Sequence, residues 1–154
     1  MPRIIESIEI KAPLSKVWEI VSDLDNEREY WWGTREVKNL SKEGNVINRE
    51  VYQNFRNHAI LQKAIVKPQK EIEIQYLKGL TEGVKYLRIT SHSDEEQTLE
   101  AEWIVHFPGI FFLATPFIAR HVWQGTKDAL RRVKDAAEGR SIERAECIAS
   151  GDRE

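Results

Sequence analysis

Leu99-Glu100-Ala101-Glu102-Trp103-Ile104-Val105-His106-Phe107, followed past Pro108-Gly109 by Thr115-Pro116-Phe117-Ile118-Ala119-Arg120-His121-Val122-Trp123, carries the change of period that decides the fold. In the first segment Leu99, Ala101, Trp103, Val105 and Phe107 share one parity and Glu100, Glu102 and His106 the other, the alternation of a strand with one dry face. From Thr115 onward Ala119, Val122, Trp123, Thr126, Ala129, Leu130, Val133 and Ala137 recur at helical spacing, and Arg120, Gln124, Lys127, Asp128, Arg131 and Lys134 cover much of the rest. Thr115 reads as an N-cap, Pro116 as the first helical residue, and Gly139 marks the end. About 24 residues at roughly 1.5 Å each reach some 36 Å, enough to cross a whole domain.

Upstream, strand-length segments separated by turn signals predict an antiparallel meander rather than alternating βαβ units. The strands fall at about 34 to 41, 46 to 55, 58 to 67, 70 to 77, 84 to 92 and 97 to 107. Lys42-Glu43-Gly44-Asn45, Pro68-Gln69 and Ser93-Asp94-Glu95-Glu96 supply turn chemistry between them. The segment from Glu71 to Tyr76 is as legible as the one quoted first, with Ile72, Ile74 and Tyr76 opposing Glu71, Glu73 and Gln75. A further strand is expected over residues 3 to 10, where Glu6 shares the parity of Ile4, Ile8 and Ile10. Between it and the meander, Pro13 opens a short amphipathic helix with Leu14, Val17, Trp18, Val21 and Leu24 on one face, and Asp25 to Tyr30 holds one more helical turn.

A chain of 154 residues with 41% hydrophobic and 31% charged side chains falls in the one-domain range, and residues 1 to 139 are expected to form that domain, with 140 to 154 frayed. One cysteine, Cys147, excludes an intramolecular disulfide. A formal charge of −2, mixed along the chain, speaks against nucleic-acid binding. The opening Met1-Pro2-Arg3-Ile4-Ile5-Glu6 lacks the apolar stretch of a secretory signal, which fits a reducing, cytoplasmic setting. Phosphate-cradling glycine loops, Cys-x-x-Cys, Gly-x-Ser-x-Gly and His-Glu-x-x-His are absent.

An antiparallel sheet with one dry face must cover it, and the C-terminal helix is the element large enough to do so. The expected class is therefore α+β: seven curved antiparallel strands wrapped around a long helix, with short helices after the first strand. Where facing side chains do not meet, a cleft of small-molecule size results. This order of elements, with Ile10-Lys11-Ala12-Pro13 leading into Val17-Trp18 and Asp23-Leu24, resembles the START-like or SRPBCC superfamily with its helix-grip fold, in the polyketide cyclase/dehydrase and lipid-transport branch. The resemblance covers residues 3 to 139. It implies a deep apolar cavity between sheet and helix that takes lipids, polyketides, hormones or other apolar metabolites.

The dry parities nominate Ile72, Ile74, Tyr76, Trp103, Val105 and Phe107 on strands, and Ala119, Trp123, Thr126 and Leu130 on the helix, as ligand contacts or core. Polar groups on apolar parity are more informative, because burial without partners costs free energy. Glu6, Arg49, Gln53 and Arg88 qualify. An arginine there meets a ligand carboxylate, pairs with Glu6, or snorkels to water; Arg49 is the ligand-binding candidate. In the strand around Arg88, the parity of Val84 and Tyr86 competes with that of Leu87 and Ile89. His58, His92, His106 and His121 lie in separate elements without metal-ligand spacing, so neither metal nor cofactor is expected. No pattern singles out a general acid or base among His58, Glu6 and Glu50, so no catalytic residue is assigned.

Residues 108 to 118 carry Ile110, Phe111, Phe112, Leu113 and Phe117, more large apolar side chains than a surface connection needs. They pack on the core, gate the cavity through Phe111, Phe112 and Phe117, or touch a membrane or protein. The leading expectation is a non-enzymatic protein that binds and carries a hydrophobic small molecule, whether lipid, isoprenoid or polyketide-like. The alternatives are a cyclase/dehydratase-type enzyme using the same cavity, marked by a titratable group inside it, and an interaction module working through residues 108 to 118.

Overall fold

The computed structural model describes residues 3–53, 59–79, 81–107 and 109–141; residues 1–2, 54–58, 80, 108 and 142–154, and the side chains of Ile110 and Phe111, lie outside the described residues. The chain runs β1 (Arg3–Ile10), α1 (Leu14–Ser22), a 3-10 segment (Leu24–Glu29), β2 (Thr34–Glu43), β3 (Val46–Gln53), β4 (Ala59–Lys67), β5 (Glu71–Lys78), β6 (Glu82–Ser93), β7 (Glu96–His106), a second 3-10 segment (Gly109–Ala114) and α2 (Thr115–Ala137). Among the described residues the strands form one antiparallel sheet ordered β1-β7-β6-β5-β4-β3-β2. Sequential hairpins build six of its strands, and β1 closes onto β7 with Ile4 opposite Trp103 and Ile10 opposite Gln97. This is the curved α+β helix-grip arrangement that the period change predicts.

The concave face is dry because alternate residues supply it: Ile72, Ile74 and Tyr76 from β5, Leu87 and Ile89 from β6, Leu99, Ala101 and Val105 from β7. Onto it α2 lays Ala129, Leu130, Val133 and Ala137, and α1 adds Val17 and Val21. Each large aliphatic side chain removed from water in this way contributes roughly 1.5–3 kcal/mol. The convex face is ionic: Arg88 contacts Glu71, Glu100 and Glu102, and Glu102 also accepts from Arg3 at 2.6 Å, joining β5, β6, β7 and β1.

Polar contacts hold α2 along β1. Lys134 Nζ donates to the Glu9 carbonyl at 2.8 Å, and Glu138 accepts the Lys11 backbone N–H at 3.0 Å. Glu6, a carboxylate on apolar parity, meets Trp123: the indole Nε1 donates to Glu6 Oε1 at 2.5 Å.

Three local expectations are corrected. The cap of α2 is Ala114, because the second 3-10 segment runs directly into the helix, and the Thr115 hydroxyl donates to the Phe112 carbonyl at 2.7 Å. In β6 the parity of Leu87 and Ile89 faces inward together with Lys85, and Arg88 stands on the convex side. Trp123, placed on the apolar stripe from its spacing, is 38% exposed at the flank of α2.

Gly83 is forced by its surroundings. Its φ is +133°, and an added Cβ would lie 2.2 Å from the Ile104 carbonyl oxygen and 2.8 Å from Val105 Cα, across the β6–β7 pairing. Gly83→Ala is expected to lose about 3 kcal/mol in urea unfolding, combining backbone strain with overpacking. Glu138 gives a pH signature. Hydrogen bonding from Lys134, with help from the Lys11 N–H and Arg140, holds its carboxyl down from the ordinary 4.5 to about 2. The folded value lies below the unfolded one, so this stabilisation is complete above about 4.5 and disappears as pH falls through about 2. Urea midpoints measured across that window should fall more steeply for the wild type than for Glu138→Gln.

Candidate functional site

Between the concave face and the N-terminal half of α2 lies a cavity of about 520 Å³. It falls inside the roughly 300–1,000 Å³ range of small-molecule sites. The walls are aromatic: Tyr76 from β5 and Trp103 from β7 stack with centroids 5.8 Å apart and planes inclined by 27°, and Trp31, just past the first 3-10 segment, meets Trp103 edge-on at 6.1 Å. Trp32 adds a fourth ring, covered on one side by the Arg132 guanidinium 3.5 Å from its centroid. Ile118, Val122 and Thr126 of α2 line the opposite side. The helix leaves room because Gly125 has no side chain, and a Cβ built there meets nothing within 4 Å.

Behind this wall Arg49 is wholly buried, with 0% of its surface exposed, and every nitrogen of its guanidinium is engaged. Nε and Nη2 donate to Gln62 Oε1 at 3.1 and 2.8 Å, Nη1 donates to the Leu24 carbonyl at 3.3 Å, and Nη2 lies 2.5 Å from Glu27 Oε1. Glu27 Oε2 accepts the Thr34 hydroxyl at 3.1 Å. Of the roles weighed for Arg49, neither snorkelling nor pairing with Glu6 occurs. Its side chain clamps the segment bearing Trp31 onto the sheet, outside the cavity lining.

Lys85 is a buried cation that does line the cavity, together with Glu27, Asp128 and Arg132. It is 3% exposed, and its Nζ stands 3.3 Å from the Trp31 ring centroid and 4.6 Å from that of Trp103, its cross-strand partner. Burial pulls the amine down from 10.5 to about 7, with Glu27 opposing that shift and Arg49 adding to it. The two ring faces favour the ammonium form. Burial also pushes the Tyr76 hydroxyl up, so it stays protonated.

Of the residues nominated from sequence, Tyr76, Trp103, Val105 and Thr126 meet around the cavity. Ile72 and Phe107 are packed in the interior, and Ile74 and Leu130 border a separate void of about 20 Å³. Ala119 is half-buried outside the lining, and Trp123 stands on the flank of the helix with Glu6. Phe112 and Leu113, just before α2, and Phe117 in its first turn are 70, 82 and 80% exposed, and the next residue, Ile118, lines the cavity. The Phe111 side chain and His58 lie outside the described residues. Glu50 accepts from the Tyr52 hydroxyl at 3.3 Å, away from the cavity, whereas His121 lines it.

Sequence reasoning missed Lys85, Glu27, Gln62 and Gly125. Lys85 had a signal, since it shares the parity of Leu87 and Ile89, but the competing parity of Val84 and Tyr86 obscured it. Gln62 likewise shares a face with buried Ile60 and Ala64. Gly125 was legible as a glycine in mid-helix, where it costs about 1 kcal/mol relative to alanine and calls for a reason. Glu27 sits in a polar run whose packing only the fold reveals.

A curved antiparallel sheet gripping one long helix over an aromatic-walled cavity defines the helix-grip class. The chain belongs to the polyketide cyclase/dehydrase and lipid transport family, whose model matches residues 1–138. No curated protein matches the sequence. Among solved structures it is similar to the Zhui aromatase/cyclase of Streptomyces sp. R1128, with a TM-score of 0.74, 14% identity, and 89% of this chain and 93% of that one covered. It is also similar to a START superfamily protein of Mycobacterium smegmatis, with a TM-score of 0.66, 13% identity and coverage of 88% and 97%. A protein of Thermus thermophilus aligns with a TM-score of 0.69, 11% identity and coverage of 87% and 95%. Identities this low carry the fold alone; the family supports binding of a hydrophobic ligand or cyclase activity without choosing between them.

Removing one member of a buried ion pair leaves the other uncompensated, at roughly 3–5 kcal/mol. Arg49→Met is therefore expected to lose about that much in urea unfolding, and Arg49→Met/Glu27→Met to regain part of it.

Proposed function

We propose that the protein binds a flat, largely apolar small molecule of aromatic or polyketide-like class in the cavity and shields it from water. The aromatic enclosure carries this reading: Trp31, Tyr76 and Trp103 present ring faces and edges to one space. Such a surface suits a planar conjugated ligand better than a flexible acyl chain, since stacked or edge-on ring pairs add about 0.5–1.5 kcal/mol beyond area burial. Transfer of the ligand from water contributes about 25 cal/mol per Å² of apolar surface.

A cyclase or dehydratase reading is favoured by one observation, the amine of Lys85 inside the cavity with its proton affinity drawn to about 7. A group that titrates near neutrality can give or take a proton during ring closure or loss of water. The interaction-module reading draws on the exposed Phe112, Leu113 and Phe117, but that reading also expects little internal volume, and the cavity measures about 520 Å³.

Saturable quenching of tryptophan fluorescence by a three-ring phenol, with weaker quenching by a fatty acid and a linear isoprenoid, is the expected outcome of a ligand panel. Gly125→Phe directs a ring into the open space beside the helix. It should abolish the quenching while leaving the urea midpoint equal or higher, because a helix-interior glycine is removed. Unchanged quenching in Gly125→Phe would place the ligand elsewhere.

A further inference from the structure

Lys85 presents three N–H donors, yet among the described residues its Nζ has ring faces for neighbours and no hydrogen-bond acceptor. The carboxylate and amide oxygens that surround Arg49 behind this wall are engaged elsewhere. Gln62 Oε1 takes two donors from Arg49, Glu27 Oε1 is paired with Arg49, and Glu27 Oε2 accepts from Thr34. The interior cluster thus holds two cations, Arg49 and protonated Lys85, against the one carboxylate of Glu27. A buried charged donor without an acceptor is costly and is normally partnered.

We infer that the ligand is an organic acid, and that its carboxylate or acidic enolate oxygen is the acceptor for Lys85 Nζ while its conjugated body lies among Trp31, Tyr76 and Trp103. This rests on the cavity reading above and narrows it from apolar compounds in general to amphipathic anions. The rings hold Nζ where one end of a planar ligand would reach it, so a charge-assisted hydrogen bond and stacking are available to the same molecule. The other groups that share this space are Glu27 from the 3-10 segment, Tyr76 from β5, and His121, Asp128 and Arg132 from α2, with Arg49 of β3 behind the wall. Tyr76 stays neutral, Asp128 accepts from Gln124 and Arg131, and Arg132 is committed to the Tyr30 carbonyl and the Trp32 ring. His121 is therefore the other basic group of the cavity to be distinguished from Lys85.

The test compares 2-naphthoic acid with 2-naphthamide, near-isosteric and differing in charge, by isothermal titration calorimetry. At about pH 6 the wild type is expected to bind the acid at least about tenfold more tightly than the amide. That ratio should decline toward one by about pH 9 as the ammonium is lost. In Lys85→Met, with the fold checked by circular dichroism, the ratio should be near one throughout, and in Lys85→Arg it should persist at high pH. If neither compound binds the wild type, the aromatic-cavity reading fails and this inference with it. If both bind equally at about pH 6, the cavity reading stands and the assignment of an organic acid is overturned. A preference for the acid that survives in Lys85→Met would belong to another group of the cavity and would likewise overturn it. The wild-type pH series decides the matter even if Lys85→Met does not fold.

Discussion

A guanidinium with no exposed surface has to find its acceptors inside the protein, and much of this molecule is arranged around that requirement. Arg49 draws together β3, β4 and the 3-10 segment by holding Gln62, Glu27 and the Leu24 carbonyl at once. Fixing Leu24–Glu29 against the sheet also fixes the residues just beyond it, so Trp31 is delivered against Trp103 and becomes a wall instead of a loop residue. The same set of bonds ties Gln62 Oε1 and Glu27 to Arg49 and Thr34. An interaction buried behind the cavity thus determines both the shape of the space and the charge left facing it.

The parts of the fold that are plain in the sequence are those where one physical rule acts alone. In β5 and β7, burial on one face and solvent on the other give clean alternation; in α2, the stripe from Thr126 to Ala137 matches the buried face. Reading becomes harder where two demands overlap. Along β6 the convex side carries Tyr86 and Arg88, large side chains whose rings and charges pack on the outer surface, so both parities look apolar or mixed and Lys85 is easily taken for a solvent-facing residue. Trp123 misleads for the opposite reason: helical spacing places it on the apolar stripe, but it stands at the flank of the helix, where its indole donates to Glu6 of β1. The site itself is half legible. Tyr76 and Trp103 follow from parity, while Trp31, Trp32 and the polar members depend on contacts between residues such as Arg49 and Glu27, 22 positions apart in the chain.

Convex and concave faces handle charge differently. On the outside, Arg88 and Arg3 share Glu71, Glu100 and Glu102 in a network reached by water, where each pair is worth little by itself and the gain lies in lacing neighbouring strands together. On the inside, one arginine is fully partnered and one lysine rests against aromatic faces.

The pairing of the first strand with the last has a bearing on biogenesis. Every other strand pairs with a sequence neighbour, so those hairpins can close as soon as they are made, but Arg3 opposes Ile104 and must wait for about 100 further residues. At translation rates of about 5–20 residues per second, that interval is roughly 5–20 s. Throughout it β1 is an unpaired strand with Ile4, Ile8 and Ile10 on one side, and α2, the other element that covers it, is made later still. The nascent chain therefore carries this strand unpaired for longer than any strand that pairs with its sequence neighbour.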